Sequence, residues 1–404
     1  MFQQYLANKR YITREVIAAE FDDDLMQDAM AVVLFRCPQD SIVQSSHKRD
    51  PQPVGDLLKL WPKSKLPNPL KDGDDDMLSQ VDKLHTQLLI LIEDYVTKAT
   101  ASFPPQEYIC LPPIQSSLAG GHLAFRGIKG SSRFNSARLT SLERRRFVKA
   151  FLEYEILCQT CRLDISFNSL EQSIITQTER EAISCVQQYF GSLYGAIFAQ
   201  CNDDWLPGTS TGALPESKLL HPDNFWFEAD AYAPDQKDLD IGSIVDNFLG
   251  NDYAGTFSTF GLDHLKDFLR YDMARSNERE ALRLKVQQFC DSDYGPLAVD
   301  VYVKLSFTID RIEDHGPESF MYEQVSVDMS SKLRRNVCQQ RAWVFFDNDR
   351  FYPEDSTERP NFPSEAFLQN EVSKQAENRI RFYGLKQMRS LQRRSGEKKV
   401  VDNI

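Results

Sequence analysis

The chain has 404 residues, 41% of them apolar and 26% charged. That composition excludes a disordered chain, and the length allows one large core or two to three domains without disulfide staples. The formal net charge of −12 argues against a sequence-independent grip on nucleic acid by the bulk of the protein.

Charge is unevenly placed. Arg379 to Lys399 holds eight Lys or Arg against one acid, a net of +7 that leaves −19 on the remainder. No basic stretch followed by an apolar run opens the chain, so no secretory signal is expected. The longest apolar run, Ala29 to Phe35, is far short of the roughly 20 residues needed to cross a bilayer. Eight cysteines without framework spacing suit thiols in a reducing compartment. The expectation is a soluble protein of the cytoplasm or nucleus.

Helical periodicity runs almost throughout. ITREVIAAEF and DDDLMQDAMAVVLF predict two short helices, with Asp22, Asp23 and Asp24 where acids favour a helix N-terminus. Residues 37–56, polar and broken by prolines, read as loop, and VGDLLKLW as a short apolar piece ending at Pro62. The segment DGDDDMLSQVDKLHTQLLILIEDYVTKA gives the clearest helix, over about 77–98. Leu78, Val81, Leu88, Ile92 and Tyr95 follow one stripe with His85 in line, and Leu89, Ile90 and Leu91 widen it until most sides are apolar. Such a helix belongs at the centre of a core. The acid run before it lacks the Asp alternation, glycine position and closing Glu of an EF-hand, so it reads as an N-cap.

Residues 102–135, rich in Pro, Gly and Ser, read as an irregular loop or boundary. Helix resumes at 141–163 and about 177–200. A second irregular region, 202–236, precedes helical patterns at 238–249, 261–272 and 276–290. PLAVDVYVKLSFTI is ambiguous between helix and strand. The chain thus divides into an N-terminal helical region 1–101, a loop 102–135, a main helical region 136–388 and a basic flexible tail 389–404. The fold class is all-α or nearly so, as a large multihelical domain or two packed helical lobes.

The only CxxC, Cys158 and Cys161, lies in TSLERRRFVKAFLEYEILCQTCRLD. On a helical wheel Phe147, Phe151, Tyr154, Cys158 and Cys161 fall within about 40° of one line. Leu152 and Ile156 lie nearly opposite, and Arg146, Lys149 and Glu153 make a narrow polar strip between. A redox dithiol wants a helix N-terminus, where the dipole stabilises thiolate, but this pair lies near the C-terminal end. Zinc would require two more ligands, and no second Cys or His pair has suitable spacing. The pair reads as part of an apolar helix face.

Other candidate chemistry is sparse. Of six histidines none forms HExxH, and His264 with Asp267 reads as a solvated helix face. GGHLAFRGIKGSS departs from a Walker A loop in spacing and in the position of its Lys. NFWFEADAY and RAWVFFDNDRFY read as core-packing segments, or as a partner groove if exposed. No catalytic, cofactor-binding or metal-ligating residue stands out, and no cofactor is expected. In the tail, QRRSGEKK places Arg393, Arg394, Lys398 and Lys399 as a candidate targeting or docking cluster, against the plainer reading of a solvated end.

LTSLERRRFVKAFLEYEILC has the form Leu-Ser/Thr-x-x-Glu-Arg-x-Arg-apolar-x-x-Ala-apolar, followed by an aromatic and apolar run. LRRNVCQQRAWVFFDNDRF carries an aromatic-rich run ending in Asp-x-x-Arg-apolar, and ITREVIAAEFDDDLMQDAMAVVLF opens the chain. In these stretches, about a sixth of its length, the chain resembles F-box-like helical proteins of filamentous ascomycete fungi. The F-box pattern itself is absent, since no Leu-Pro opens the N-terminal helices and no Trp closes them. The resemblance implies an α-helical protein without a catalytic motif and carries over no functional residues.

The expected function is a non-enzymatic protein-interaction or regulatory protein. Its acidic helical body would bind another protein, without a membrane, and only its tail would suit nucleic acid. The alternative is an enzyme whose site is assembled from scattered residues near the Gly-rich loop 120–132. A deep pocket of convergent polar groups would favour the enzyme, and an exposed apolar surface the interaction protein.

Overall fold

Short polar side chains mark where the helices begin. Asp22 Oδ1 accepts from Leu25 N at 2.9 Å, Asn68 Oδ1 from Leu70 N at 3.1 Å, and Asp74 Oδ1 from Asp76 N and Met77 N at 3.1 and 3.0 Å. Each oxygen satisfies backbone donors that a first helical turn leaves open. The acid run before residue 77 is therefore a cap, as its sequence predicts.

The computed structural model describes residues 2–35, 52–100, 108–112, 122–125, 128–162, 177–201, 253–290, 305, 335 and 338–347. Within them the fold is all-α. The helices are α1 (Phe2–Glu20), α2 (Asp23–Phe35), α3 (Gln52–Leu60), α4 (Pro69–Asp72), α5 (Asp75–Ala99), α6 (Ser141–Arg162), α7 (Gln177–Cys201), α8 (Tyr253–Ser258), α9 (Gly261–Leu269) and α10 (Ser276–Cys290). One antiparallel hairpin joins β1 (His122–Phe125) to β2 (Ile128–Ser132).

Helix α6 is the hub, packing against α2, α5, α7 and α9. From Phe147 to Cys161 every residue but Lys149 is buried. The wheel's two apolar faces are correct, but the polar strip between them is not solvated throughout: Glu153 is buried as well. On α5 the stripe Leu78, Val81, His85, Leu88, Ile92 and Tyr95 is buried along its whole length, so this helix is central as expected. One continuous apolar cluster runs from Ile17 to Phe346 and includes side chains from both sides of 102–135. Rings stack inside it, Phe147 on Phe345 at 4.1 Å and Tyr95 on Tyr189 at 4.6 Å. The described aromatics of RAWVFFD, Trp343, Phe345 and Phe346, are core residues.

Three stretches differ from their sequence reading, the first being α1, which begins at Phe2 and not near Ile12. Helix α3 begins at Gln52, inside the segment read as loop. Pro53 sits in its first turn, where a missing N–H costs nothing. The Gly-rich stretch contains the hairpin, and Ala124 also pairs with Leu111 through backbone bonds of 2.9 and 3.1 Å. Its strands are four and five residues long, too short to leave a readable alternation. Leu123 and Phe125 pack with Ile109 and Cys110 as a small separate cluster. No helix among the described residues is long and apolar enough to cross a membrane. The helix expected at 238–249, the ambiguous segment 296–309 apart from Leu305, and the tail with Arg393, Arg394, Lys398 and Lys399 lie outside the described residues.

Candidate functional site

The N-terminus of α6 gathers the conspicuous motif residues. Thr140 and Glu143 form a reciprocal cap: Glu143 N donates to Thr140 Oγ1 at 3.2 Å, and Thr140 N donates to Glu143 Oε2 at 2.9 Å. Glu143 Oε1 accepts from Asp347 N at 3.1 Å, and the Thr140 hydroxyl donates to Asp347 Oδ2 at 2.7 Å. Arg146 Nη1 donates to Phe345 O at 3.1 Å and to Asp347 Oδ1 at 2.8 Å. Arg144 pairs with Glu20 and Arg145 with Asp22, each at 2.8 Å. ITREVIAAEFDDD, LTSLERRRF and RAWVFFD therefore meet at one junction. Their polar side chains hold distant segments together; Thr140 and Asp347 are 207 residues apart in sequence.

One helical turn further along, α6 contributes Lys149 and Glu153. Lys149 Nζ donates to Glu179 of α7 and lies 3.8 Å from Glu153 Oε1. Asp28 of α2 accepts from Trp61 Nε1 at 2.8 Å. Burial, with the Asp28 charge second, pushes the Glu153 carboxyl up to about 8. Burial also pushes Asp28 up to about 6, against the pull of the Trp61 hydrogen bond and the Lys149 charge. Burial works to lower Lys149, but the Glu179 hydrogen bond and the Glu153 charge outweigh it and hold the ammonium above its usual range. Glu153 Oε2 is buried with no hydrogen-bond partner among the described residues.

A second charged group lies deeper. Asp94 and Lys98, one turn apart on α5, form an ion pair at 2.7 Å with both side chains fully buried. Tyr189 of α7 donates to Asp94 Oδ2 at 2.7 Å, and the ammonium lies 5.6 Å from the Tyr189 ring centroid and 5.8 Å from that of Tyr108. Tyr108 donates to Gln340 O at 2.7 Å, Tyr95 donates to Gln339 O, and Arg341 Nη1 donates to Ala99 O at 3.1 Å. Burial raises Asp94 against the Lys98 charge and lowers Arg341 to about 10. Asp94 and Lys98 are inaccessible to solvent, and this network ties residues 339–341 to α5.

Neither cluster was nominated from the sequence. The signal was present as charge inside apolar runs: Asp28 precedes AMAVVLF, and Glu153 interrupts FLEYEILC. The residues that were singled out have structural places. Cys158 and Cys161 are buried on the α6 face with Phe147, Phe151 and Tyr154. His264 is half-buried and its ring has partners: Tyr194 Oη and His264 Nδ1 share a hydrogen bond at 2.9 Å, and the ring centroid lies 4.7 Å from that of Phe268 and 4.9 Å from that of Phe260. Among the described residues no group of three or more His, Cys, Asp or Glu is arranged to hold a metal ion.

The candidate surface site is an apolar groove between α5 and α9. Leu262, Leu265 and Leu269 line one wall and Ile90 and Leu91 the other, with Gln87 and Lys266 as its polar lining. The spacing of the three leucines places them on one face of α9. The cavity at its floor is small, about 20 Å³, and partly open to solvent; Leu91, Leu262, Leu265 and Leu269 are themselves buried. Against known protein families, characterised proteins and solved structures, the chain gives no match.

Proposed function

We propose that this is a non-enzymatic interaction protein whose acidic helical body binds another protein at the α5–α9 groove. The observation that carries the reading is the groove lining: five apolar side chains with one amide and one amine. Such a lining suits the tip of an apolar side chain on a partner's amphipathic helix and offers no convergent set of acids, bases or nucleophiles. The charged clusters at α6 and α5 are engaged in joining elements. The basic residues Arg393, Arg394, Lys398 and Lys399 supply a second, electrostatic contact to an acidic partner and a route to nuclear docking. The enzyme alternative has less support, because Leu123 and Phe125 of the Gly-rich hairpin pack inward.

The test is affinity purification of the tagged full chain from its native host, beside an Ile90→Arg variant with an unchanged thermal melt. Mass spectrometry should find a stoichiometric protein with the wild type and a large loss with the variant. Equal recovery from both would remove the groove as the site. A co-purifying small molecule without any protein would favour the enzyme.

A further inference from the structure

Glu153, at the junction of α2, α6 and α7, has Lys149 as its cation among the described residues, with Nζ 3.8 Å from its Oε1. Asp28, Asp24 and Glu179 add negative potential there, and Trp61 contributes a neutral N–H. The arginines one turn earlier on α6 point to other acids: Arg144, Arg145 and Arg146 pair with Glu20, Asp22 and Asp347. Lys149 is held directly by Glu179, and the second oxygen of Glu153 is buried with no donor. An ionised Glu153 would therefore place an unpartnered anionic oxygen in a buried site beside a second carboxylate, which is costly.

We propose that Glu153 carries a proton at neutral pH and that this proton locks α2 and α7 onto α6. When the carboxyl O–H gives its proton to a solvent base, Glu153, Asp28 and Glu179 repel one another and the junction loosens. No other bond changes. Burial sets the window, with Glu153 raised to about 8 and Asp28 to about 6. A carboxyl raised on closure stabilises the closed form fully below its ordinary value, and that stability is lost as pH rises towards the raised value. The lock is therefore firm in mild acid and weakest above about pH 8.

The experiment is hydrogen exchange of the full chain from pH 5.5 to 9, corrected for the intrinsic rate, following peptides from α2 and the start of α7. In the wild type the opening constant should rise by up to about tenfold per pH unit between roughly pH 6 and 8. In Glu153→Gln, which keeps the shape and cannot ionise, that slope should vanish, while exposed Glu280→Gln should retain it. An equal slope in wild type and Glu153→Gln, or a flat wild-type profile, overturns the proposal. Carbon-13 NMR of glutamate side chains in the wild type needs no variant. One carboxyl titrating near pH 8 is expected, and none titrating above pH 6.5 sinks the idea.

Discussion

Gly261 occupies a position that only glycine fits. Its φ is +76°, and a Cβ there would meet Glu155 Oε2 at 2.5 Å. That oxygen accepts from Leu262 N at 2.6 Å and caps α9. Gly261→Ala adds backbone strain and displaces the cap, so it should cost about 2–3 kcal/mol in urea denaturation. Combined with Glu155→Ala, the two costs should fall short of their sum, because both disturb one contact. His85 makes a pH prediction of opposite sign to that of Glu153. It is buried in the α5 stripe, edge-on to Phe21 at 5.3 Å, and burial with Arg144 second lowers its pKa to about 4. The unfolded chain binds a proton there below about 6.5, and the folded chain refuses it. Stability should therefore be lost as pH falls from about 6.5 to 4, by up to about 3 kcal/mol from this group. Melts across that range should show wild type losing up to that amount relative to His85→Leu as pH falls; a constant difference would overturn this.

At the scale of elements, α5 and α6 carry the core. Leu88 on α5 is 1% exposed, so Leu88→Asp buries an unpaired charge and should cost upwards of about 4 kcal/mol. Leu142 on α6 is 61% exposed, and Leu142→Asp should change the midpoint by no more than about 0.5 kcal/mol. A cooperative melt of Leu88→Asp at the wild-type midpoint would make α5 peripheral. The CxxC belongs to the α6 face, so wild type and the Cys158→Ser, Cys161→Ser double variant should both lack stoichiometric zinc by elemental analysis. Zinc present in the wild type and lost in the variant would overturn that reading. Both helices were legible from the sequence to within a residue or two at most ends, because 3.6-residue spacing and local caps are properties of one segment. The hairpin was not legible, since its strands depend on each other and on Leu111 for partners.

At the scale of the whole molecule, one apolar cluster unites helices from both halves of the chain, and the junction at Thr140, Glu143, Arg146 and Asp347 closes it. Glu143 is fully buried there and accepts two backbone donors from separate segments. Its replacement by Ala should cost roughly 2–3 kcal/mol, because both donors lose a charged acceptor. Deleting residues 389–404 should leave the thermal midpoint nearly unchanged while weakening partner binding at low salt. A loss of several degrees would make the tail structural and remove the basis for its docking role.

The sequence by itself determined the helical class, the positions of α5, α6, α7 and α10, and the burial of the stripes that hold Leu88 and Cys158. Each follows from the spacing of apolar side chains along a single helix, which is local information. Only the tertiary structure decided that Glu153 lies inside, that His264 sits among aromatic rings, and that the motif at Thr140 to Arg146 is a junction. A charged side chain can lie along a helix without declaring which face it will turn to a neighbour. That outcome depends on Asp28, Glu179 and Asp347, which the chain brings to α6 from elsewhere in the sequence.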